Sequence, residues 1–253
     1  MKVSKRIAFM GTPNIAVPYL QTLIDNQYNI VAVYTQPARP KGRGLYVHKS
    51  PVAKLALKYK LHVFTTTKLD SDKEIKNFQK LKIDLIIVMG YGNLIPKFYL
   101  EQVPFGCINV HVSLLPRWRG AAPIERALLA GDKVSGVTIF RLDEKLDSGP
   151  ILVSKSCKIS NSIQKKDLEN KLTNIGKKLL VDTLPKYFLK KINLKKQNSL
   201  NITYARKIDS LETQVYFFDK AHTIYNKVRA FSPKPGAWFL FNQHRIKILS
   251  WTR

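Results

Sequence analysis

An amide, an imidazole and a hydroxyl stand at alternate positions in Cys107-Ile-Asn-Val-His-Val-Ser113: Asn109, His111 and Ser113. In an extended chain residues i and i+2 share a face. Asn109 and His111 are therefore expected to point one way, and Ile108, Val110 and Val112 the other. A strand with apolar groups on one face and an amide plus an imidazole on the other fits a site at a sheet edge. A loop of Pro116, Arg117, Trp118, Arg119 and Gly120 follows at once, and Leu142-Asp-Glu-Lys-Leu-Asp-Ser-Gly149 supplies a carboxylate, Asp147. The plainer alternatives are polar residues on a solvated strand face and a turn carboxylate ahead of Ser148-Gly149. The combination of amide, imidazole, carboxylate and an adjoining Pro/Arg/Gly loop favours chemistry. No spacing of His, Cys or Asp suits a metal, so none is expected.

The elements that must position these groups are legible around them. Arg6 to Met10 is a short apolar strand, and Gly11-Thr-Pro13 turns into a helix that Thr12 or Asn14 is expected to cap. Ile15, Val17, Leu20, Leu23 and Ile24 give that helix its apolar face. Ile30 to Tyr34 is a second strand. Strand, helix and strand make a βαβ unit with a parallel sheet and a right-handed crossover. One glycine in the first turn cannot stand in for a dinucleotide fingerprint, so NAD is not expected. Thr35 to Lys49 reads as a loop without regular structure, because Pro37, Pro40, Gly42 and Gly44 interrupt it. Arg39, Lys41, Arg43 and Lys49 make it basic, suited to gripping phosphates; its alternative is a long solvated insertion. Ser50 is a helix N-cap with Pro51 at the first helical position. Leu61 to Phe64 is a strand, Asp72 to Leu81 a helix, Asp84 to Met89 a buried strand, and Leu94 to Leu100 a helical stretch broken by Pro96. Past the central motif, Ile124 to Leu129 is helical, Val134 to Phe140 and Ile151 to Ile159 are strands, and Leu168 to Leu189 is a lysine-rich helix. The polar, basic stretch 193–206 reads as a linker. A helix near Asp219 to Phe231 and two aromatic-rich strands, Ala237 to Phe241 and Ile246 to Trp251, follow; two strands cannot close a core of their own.

With 253 residues, the chain suits one large or two smaller domains. No apolar run approaches the roughly 18 residues a membrane span requires. The N-terminus lacks the apolar core of a secretory leader. Cys107 and Cys157 sit in apolar contexts and read as reduced core residues. A cytoplasmic protein is the expectation. Charge is the outlier: 43 basic against 17 acidic residues leave +26. Such a chain attracts polyanions, with nucleic acid the leading class. A lysine-rich compositional bias of the source genome would give the same charge.

The central stretch resembles the methionyl-tRNA formyltransferases. The run from Cys107 to Ile124, with Arg117-Trp-Arg-Gly-Ala-Ala-Pro123 inside it, is similar to the family signature. So are Phe9-Met-Gly-Thr-Pro13, Thr35-Gln-Pro37 with Gly42-Arg-Gly44, and Tyr91-Gly92 with Leu94-Ile-Pro96. Gly136-Val-Thr138 with Leu146-Asp-Ser-Gly149, Thr203-Tyr-Ala-Arg-Lys207 and Arg229-Ala-Phe-Ser-Pro233 extend the likeness over essentially the whole chain. Val112 departs from it, standing where the family often has Gly.

The resemblance implies an α/β fold: a Rossmann-like formyltransferase domain with a mainly parallel sheet over residues 1–192, a linker over 193–206, and a small, truncated OB-like β domain over 207–253. It implies transfer of the formyl group of 10-formyltetrahydrofolate to the α-amino group of methionine on initiator methionyl-tRNA, by a monomer without a metal. The implied catalytic residues are Asn109, His111 and Asp147. Folate would lie against Ser113, Leu114, Leu115 and Pro116 and near Met89, Gly90 and Tyr91. Arg39, Lys41 and Arg43 would meet the tRNA, Arg43 at the acceptor stem. In those roles Asn109 and His111 point hydrogens at the oxygen that gains charge as the amine attacks, and loss of one such donor typically costs about 10²-fold or more. Asp147 orients His111 or accepts the proton that the amine loses. Two other readings share the motif: a formyltransferase for a small amine (an amino sugar nucleotide or glycinamide ribonucleotide), which would not need the basic loop, and an inactive RNA-binding relative.

Overall fold

The computed structural model describes residues 5–41 and 46–248. In chain order the elements are β1 (Arg6–Gly11), α1 (Val17–Asp25), β2 (Asn29–Tyr34), β3 (Arg39–Lys41), β4 (Tyr46–His48), α2 (Pro51–Lys58), β5 (Val63–Phe64) and α3 (Asp72–Lys80). Then come β6 (Leu85–Met89), α4 (Lys97–Gln102), β7 (Cys107–His111), β8 (Arg119–Gly120), α5 (Pro123–Leu129), β9 (Val134–Arg141), β10 (Ile151–Lys158) and α6 (Lys165–Phe188). The last are β11 (Tyr204–Ala205), α7 (Ala221–Phe231), β12 (Ala237–Phe241) and β13 (His244–Ile248). No helix among the described residues is long and apolar enough to cross a membrane.

The chain divides into two compact units. The first takes in residues up to 111, 139–153 and 176–197; the second takes in 112–138, 154–175 and 198 onward. The seven-stranded sheet runs β10-β9-β7-β6-β1-β2-β5. The contacts β2–β5, β1–β2, β1–β6 and β6–β7 are all parallel. Every residue of β6, Leu-Ile-Ile-Val-Met, is buried, as a parallel strand covered on both faces must be. One face packs Ala8, Met10, Tyr34, Ile86 and Val88 with Phe78 of α3 and Tyr99 of α4. Truncating a buried phenylalanine such as Phe78 to alanine typically costs about 3–5 kcal/mol.

Local sequence chemistry explains several boundaries. The Ser50 side chain accepts from the Ala53 amide, with Pro51 at the start of α2, as the sequence led us to expect. Ser71 caps α3 in the same way, accepting from Glu74. Three expectations need correction. Neither Thr12 nor Asn14 caps α1: a 3-10 turn over Asn14–Ala16 leads into it, without a side-chain cap. The Thr12 hydroxyl is taken instead by the Tyr91 carbonyl, 2.9 Å away. The helix expected over 94–100 starts at Lys97, with Pro96 as its N-cap, because a proline pushes the residue before it out of the α region. The stretch 35–49 is not without regular structure. Arg39–Lys41 pairs antiparallel with Tyr46–His48, Pro40 opposite Val47. A two-stranded ribbon consists of edge strands, where a proline's missing donor is tolerated.

In the second unit β8 and β11 pair in parallel, and β12 and β13 form an antiparallel hairpin. Most of β13 is exposed, in keeping with two strands that enclose no core. The buried side chains lie upstream: Ile224, Val228 and Phe231 of α7, with Ala237 and Trp238. The Trp238 indole donates to the Thr213 hydroxyl at 2.9 Å. Arg229 of α7 donates to the Leu128 carbonyl of α5.

Candidate active site

β7 carries Asn109 and His111 to its carboxyl end. Its intervening residues Ile108 and Val110 are buried, at 0% and 2% exposure, so the period of two turns the amide and the imidazole to the same face. Asp147 arrives from the β9–β10 connection. Its Oδ2 stands 3.7 Å from Nδ1 of His111, and the two side chains are only 7% and 10% exposed. A carboxylate so placed can orient the ring. The His111 ring also meets Phe140 edge to face, with centroids 6.4 Å apart. The Asn109 Oδ1 is buried without a hydrogen-bond partner among the described residues. Buried amide oxygens are normally paired; an unused acceptor beside an imidazole suits a substrate that brings its own donor.

The connection that bears Asp147 is tightly built. Asp147 adopts φ +47°, a conformation other residues visit at a cost and Asp tolerates better than most. Asp143 accepts from the Lys145 amide at 3.1 Å and from the Ser148 hydroxyl at 2.6 Å. Gly149 lies so close to β9 that a Cβ would stand 1.8 Å from the Arg141 carbonyl oxygen. The Gln197 amide donates to the carbonyls of Asp147 and Gly149, at 2.9 and 2.8 Å.

Met89, Gly90 and Tyr91 stand where β6, the neighbour of β7, leaves the sheet. In open α/β sheets ligands bind outside the carboxyl ends of the strands. Gly90 has φ +58°, and a Cβ there would press on Pro13 at 3.0 Å. The Tyr91 carbonyl accepts from Thr12 and, at 3.4 Å, from the Gln36 amide. Gln36 in turn accepts from Arg39 at 3.1 Å. Arg39 is thereby tied to the ends of the sheet strands rather than left on a remote loop. Burial, with the nearby Glu74 charge adding, pushes the Tyr91 phenol up to about 12 against the opposing effect of Asn93. It is neutral in any physiological buffer. Lys41 lies within β3, while Arg43 and its flanking Gly42 and Gly44 fall outside the described residues.

Ser113 to Pro116 open the second unit. The Ser113 hydroxyl donates to the Arg117 carbonyl at 2.6 Å, and its own carbonyl accepts from Thr138 at 2.7 Å. Thr138 also receives the Leu115 amide, at 3.1 Å, and the Leu115–Pro116 peptide is cis. Leu114 lies against Gly136, where a Cβ would be 2.5 Å from it. Beyond them Trp118 holds φ +63°. Asp132 fixes that conformation: it accepts from Arg117 at 2.9 and 2.6 Å and from the Trp118 indole at 2.8 Å. Trp118, Arg126, Tyr204, Arg206, Lys207 and Glu212 line a groove of about 630 Å³ in this unit. Glu212 takes both ends of the Arg126 guanidinium, at 2.5 and 2.9 Å. That bond holds its carboxyl below the usual range.

Asn109, His111 and Asp147 thus come together within one unit, and Met89–Tyr91 stand in that same unit. Gln36 and Gln197 are residues the sequence reading passed over, and Thr12 was read only as a helix cap. Thr12 and Gln36 lie inside quoted motifs and were open to view; Gln197 sits in a polar stretch without pattern. Among the described residues no group of three His, Cys, Asp or Glu side chains could hold a metal ion.

Comparison with known proteins gives this site a context. A formyl transferase family model matches residues 5–184, and a formyl transferase C-terminal domain model matches 207–252. The methionyl-tRNA formyltransferase of Bartonella henselae is 45% identical over 249 residues, spanning 96% of this chain and 80% of that one. That of Kosmotoga olearia is 41% identical over 243 residues, spanning 96% and 78%. Among solved structures, a 4-N formyltransferase from Francisella tularensis superposes with a TM-score of 0.76 at 17% identity, covering 99% of both chains. A sugar 3N-formyl transferase, crystallised in the presence of dTDP and 5-N-formyl-THF, gives 0.71 at 22% identity, covering 96% of this chain and 85% of that one. At those identities the structural matches speak for the fold alone. The family model over the sheet-bearing residues, and relatives above 40% identity across nearly the whole chain, establish that this chain belongs to the methionyl-tRNA formyltransferase family.

Proposed function

We propose that this chain moves a formyl group from 10-formyltetrahydrofolate to the α-amino group of methionine on initiator methionyl-tRNA. The observation that carries the reading is the buried pairing of His111 with Asp147, 3.7 Å apart, with Asn109 two residues before His111 on the same strand face. The donor supplies an activated one-carbon unit; the chain supplies the groups that bind, orient and move protons. Asn109 and His111 donate to the formyl oxygen as negative charge gathers on it. A donor positioned for that charge and not for the ground state lowers the barrier selectively. Asp147 holds the His111 ring from the β9–β10 connection. The Asp147 carboxylate takes the proton that the amine loses as the new C–N bond forms, and the departing folate nitrogen gains one as its bond to the formyl carbon breaks. We assign the folate to Met89, Gly90 and Tyr91 at the end of β6 and, on family resemblance, to Ser113, Leu114, Leu115 and Pro116.

For the acceptor, the reading draws on charge and on the groove of the second unit. A net charge of +26 favours a polyanion. Exposed aromatic and cationic side chains in one groove suit single-stranded nucleic acid, through stacking and phosphate contacts. On family resemblance, Arg39, Lys41 and Arg43 of the 35–49 stretch are assigned to the tRNA as well. The test is formyl transfer with methionyl-tRNA, free methionine and an amino sugar nucleotide offered in parallel. Transfer to the charged tRNA alone is expected. Preferential transfer to the sugar nucleotide would overturn the assignment of the acceptor while leaving the chemistry in place.

A further inference from the structure

The stretch after α6 is polar and exposed, with one exception. From residue 193 to residue 201 every side chain is exposed but that of Gln197. The backbone explains why it turns inward. Lys195 pairs antiparallel with Ile151, its amide and carbonyl bonded at 2.9 and 2.7 Å. This lays the segment along the start of β10, just past the connection that bears Asp147. Gln197 lies 50 residues beyond Asp147 in sequence. Its single amide nitrogen reaches two carbonyls, of Asp147 at 2.9 Å and of Gly149 at 2.8 Å. Both N–H bonds are thereby used on one short arc of backbone, and the residue at the head of that arc holds φ +47°. A left-handed non-glycine residue persists only where its surroundings over-determine it. The bonds within the connection, from Asp143 to Lys145 and Ser148, hold its middle. Gln197 holds the end that carries Asp147.

We propose that Gln197 is a positioning residue for formyl transfer, its carboxamide clamping the Asp147 and Gly149 carbonyls so that the Asp147 carboxylate is presented to His111. The inference rests on the reading of Asp147 and His111 given above. It places no part of Gln197 on either substrate. Asn at this position would be one methylene too short to span both carbonyls, and Glu would have no donor in its ionised form.

The test is a double-mutant cycle in the full chain with Gln197→Met, Gln197→Lys, Asp147→Asn and the Asp147→Asn/Gln197→Met pair. Gln197→Met is expected to lower kcat by about 10- to 100-fold, the scale of a small misplacement of a reacting group. KM for the folate and the tRNA should stay within about threefold, because no binding contact is lost. Gln197→Lys keeps donors for both carbonyls and should recover most of kcat. In the Asp147→Asn background the second substitution should cost little more, since a residue acting through Asp147 has nothing left to position. A wild-type kcat in Gln197→Met, or the same loss in both backgrounds, would overturn the inference. Should Gln197→Met prove insoluble, Gln197→Glu takes its place in the cycle. Asp147→Asn alone separates the two levels: if it keeps full activity, the reading of the site fails; if it is crippled while Gln197→Met is not, only the role of Gln197 fails.

Discussion

Replacing Gly149 by alanine adds one carbon, two residues from Asp147, and touches no reacting group. The added Cβ would stand 1.8 Å from the Arg141 carbonyl oxygen and 3.3 Å from the Asp143 amide nitrogen. Carbon rarely approaches a carbonyl oxygen closer than about 3.3 Å, so the two backbones must part by roughly 1.5 Å. Arg141 has little room to yield: it ends β9, and its amide is bonded to the Pro150 carbonyl at 2.9 Å. The movement therefore falls on the connection that carries Asp147, and it pulls on the bond from Gln197 to the Gly149 carbonyl. A displacement of about 1 Å at a catalytic group can cost about 10²-fold, or about 2.7 kcal/mol of barrier. Overpacking of this kind lowers stability by about 1–3 kcal/mol, which a folded domain survives. The assay is steady-state formyl transfer to methionyl-tRNA with both KM values, alongside a thermal melt. Gly149→Ala should melt lower, bind both substrates nearly as well, and turn over about 100-fold more slowly. If it melts lower yet turns over at the wild-type rate, the connection moves freely without consequence. The placement of Asp147 against His111 would then have no part in the chemistry.

His111→Ala should lower kcat by at least about 10²-fold with the fold intact; near-normal turnover would remove the imidazole from the mechanism. Arg43→Ala should raise KM for the tRNA far more than KM for the folate, and equal effects on both would contradict a phosphate-gripping role for the 35–49 stretch. Glu212, held below the usual carboxyl range by its bond to Arg126, stabilises the fold above the ordinary carboxyl pKa. That contribution is lost as pH falls through the lower folded value. The melting-temperature gap between wild type and Glu212→Gln should therefore close on acidification, and a gap constant from neutral to acid pH would refute the pairing. Burial pushes the Cys107 thiol up to about 12, so native protein at mildly alkaline pH should leave Cys107 unalkylated and denatured protein should not. Labelling of Cys107 in the native state would show that β7 opens.

Much of this molecule is written in short-range pattern. The alternation from Ile108 to Val112 placed Asn109 and His111 on one face before any fold was known, because strand geometry depends only on the chain's own period. The apolar run ending at Met89 announced a buried strand, and Ser50-Pro51 a helix start, for equally local reasons. Local rules failed where a distant partner overruled them. The prolines and glycines of 35–49 argue against regular structure, yet β3 and β4 find each other as edge strands. Thr12 has the chemistry of a helix cap, but the Tyr91 carbonyl, 79 residues away, claims its hydroxyl. The contact between His111 and Asp147 depends on the order β10-β9-β7 in the sheet, and no periodicity within either segment encodes that adjacency.

Residue types and local pattern supply the chemical vocabulary: an amide, an imidazole and a carboxylate, an excess of cationic side chains, and the strands and helices able to carry them. Which of them meet is set by the packing of distant segments. That packing brought Asp147 to His111, turned Gln197 from an unpatterned stretch onto the back of that connection, and joined Arg39 to Tyr91 through Gln36. The physical reason is range. Backbone period and capping act over a few residues, whereas these contacts join residues far apart in the chain and form only once burial of the sheet has brought its strands together.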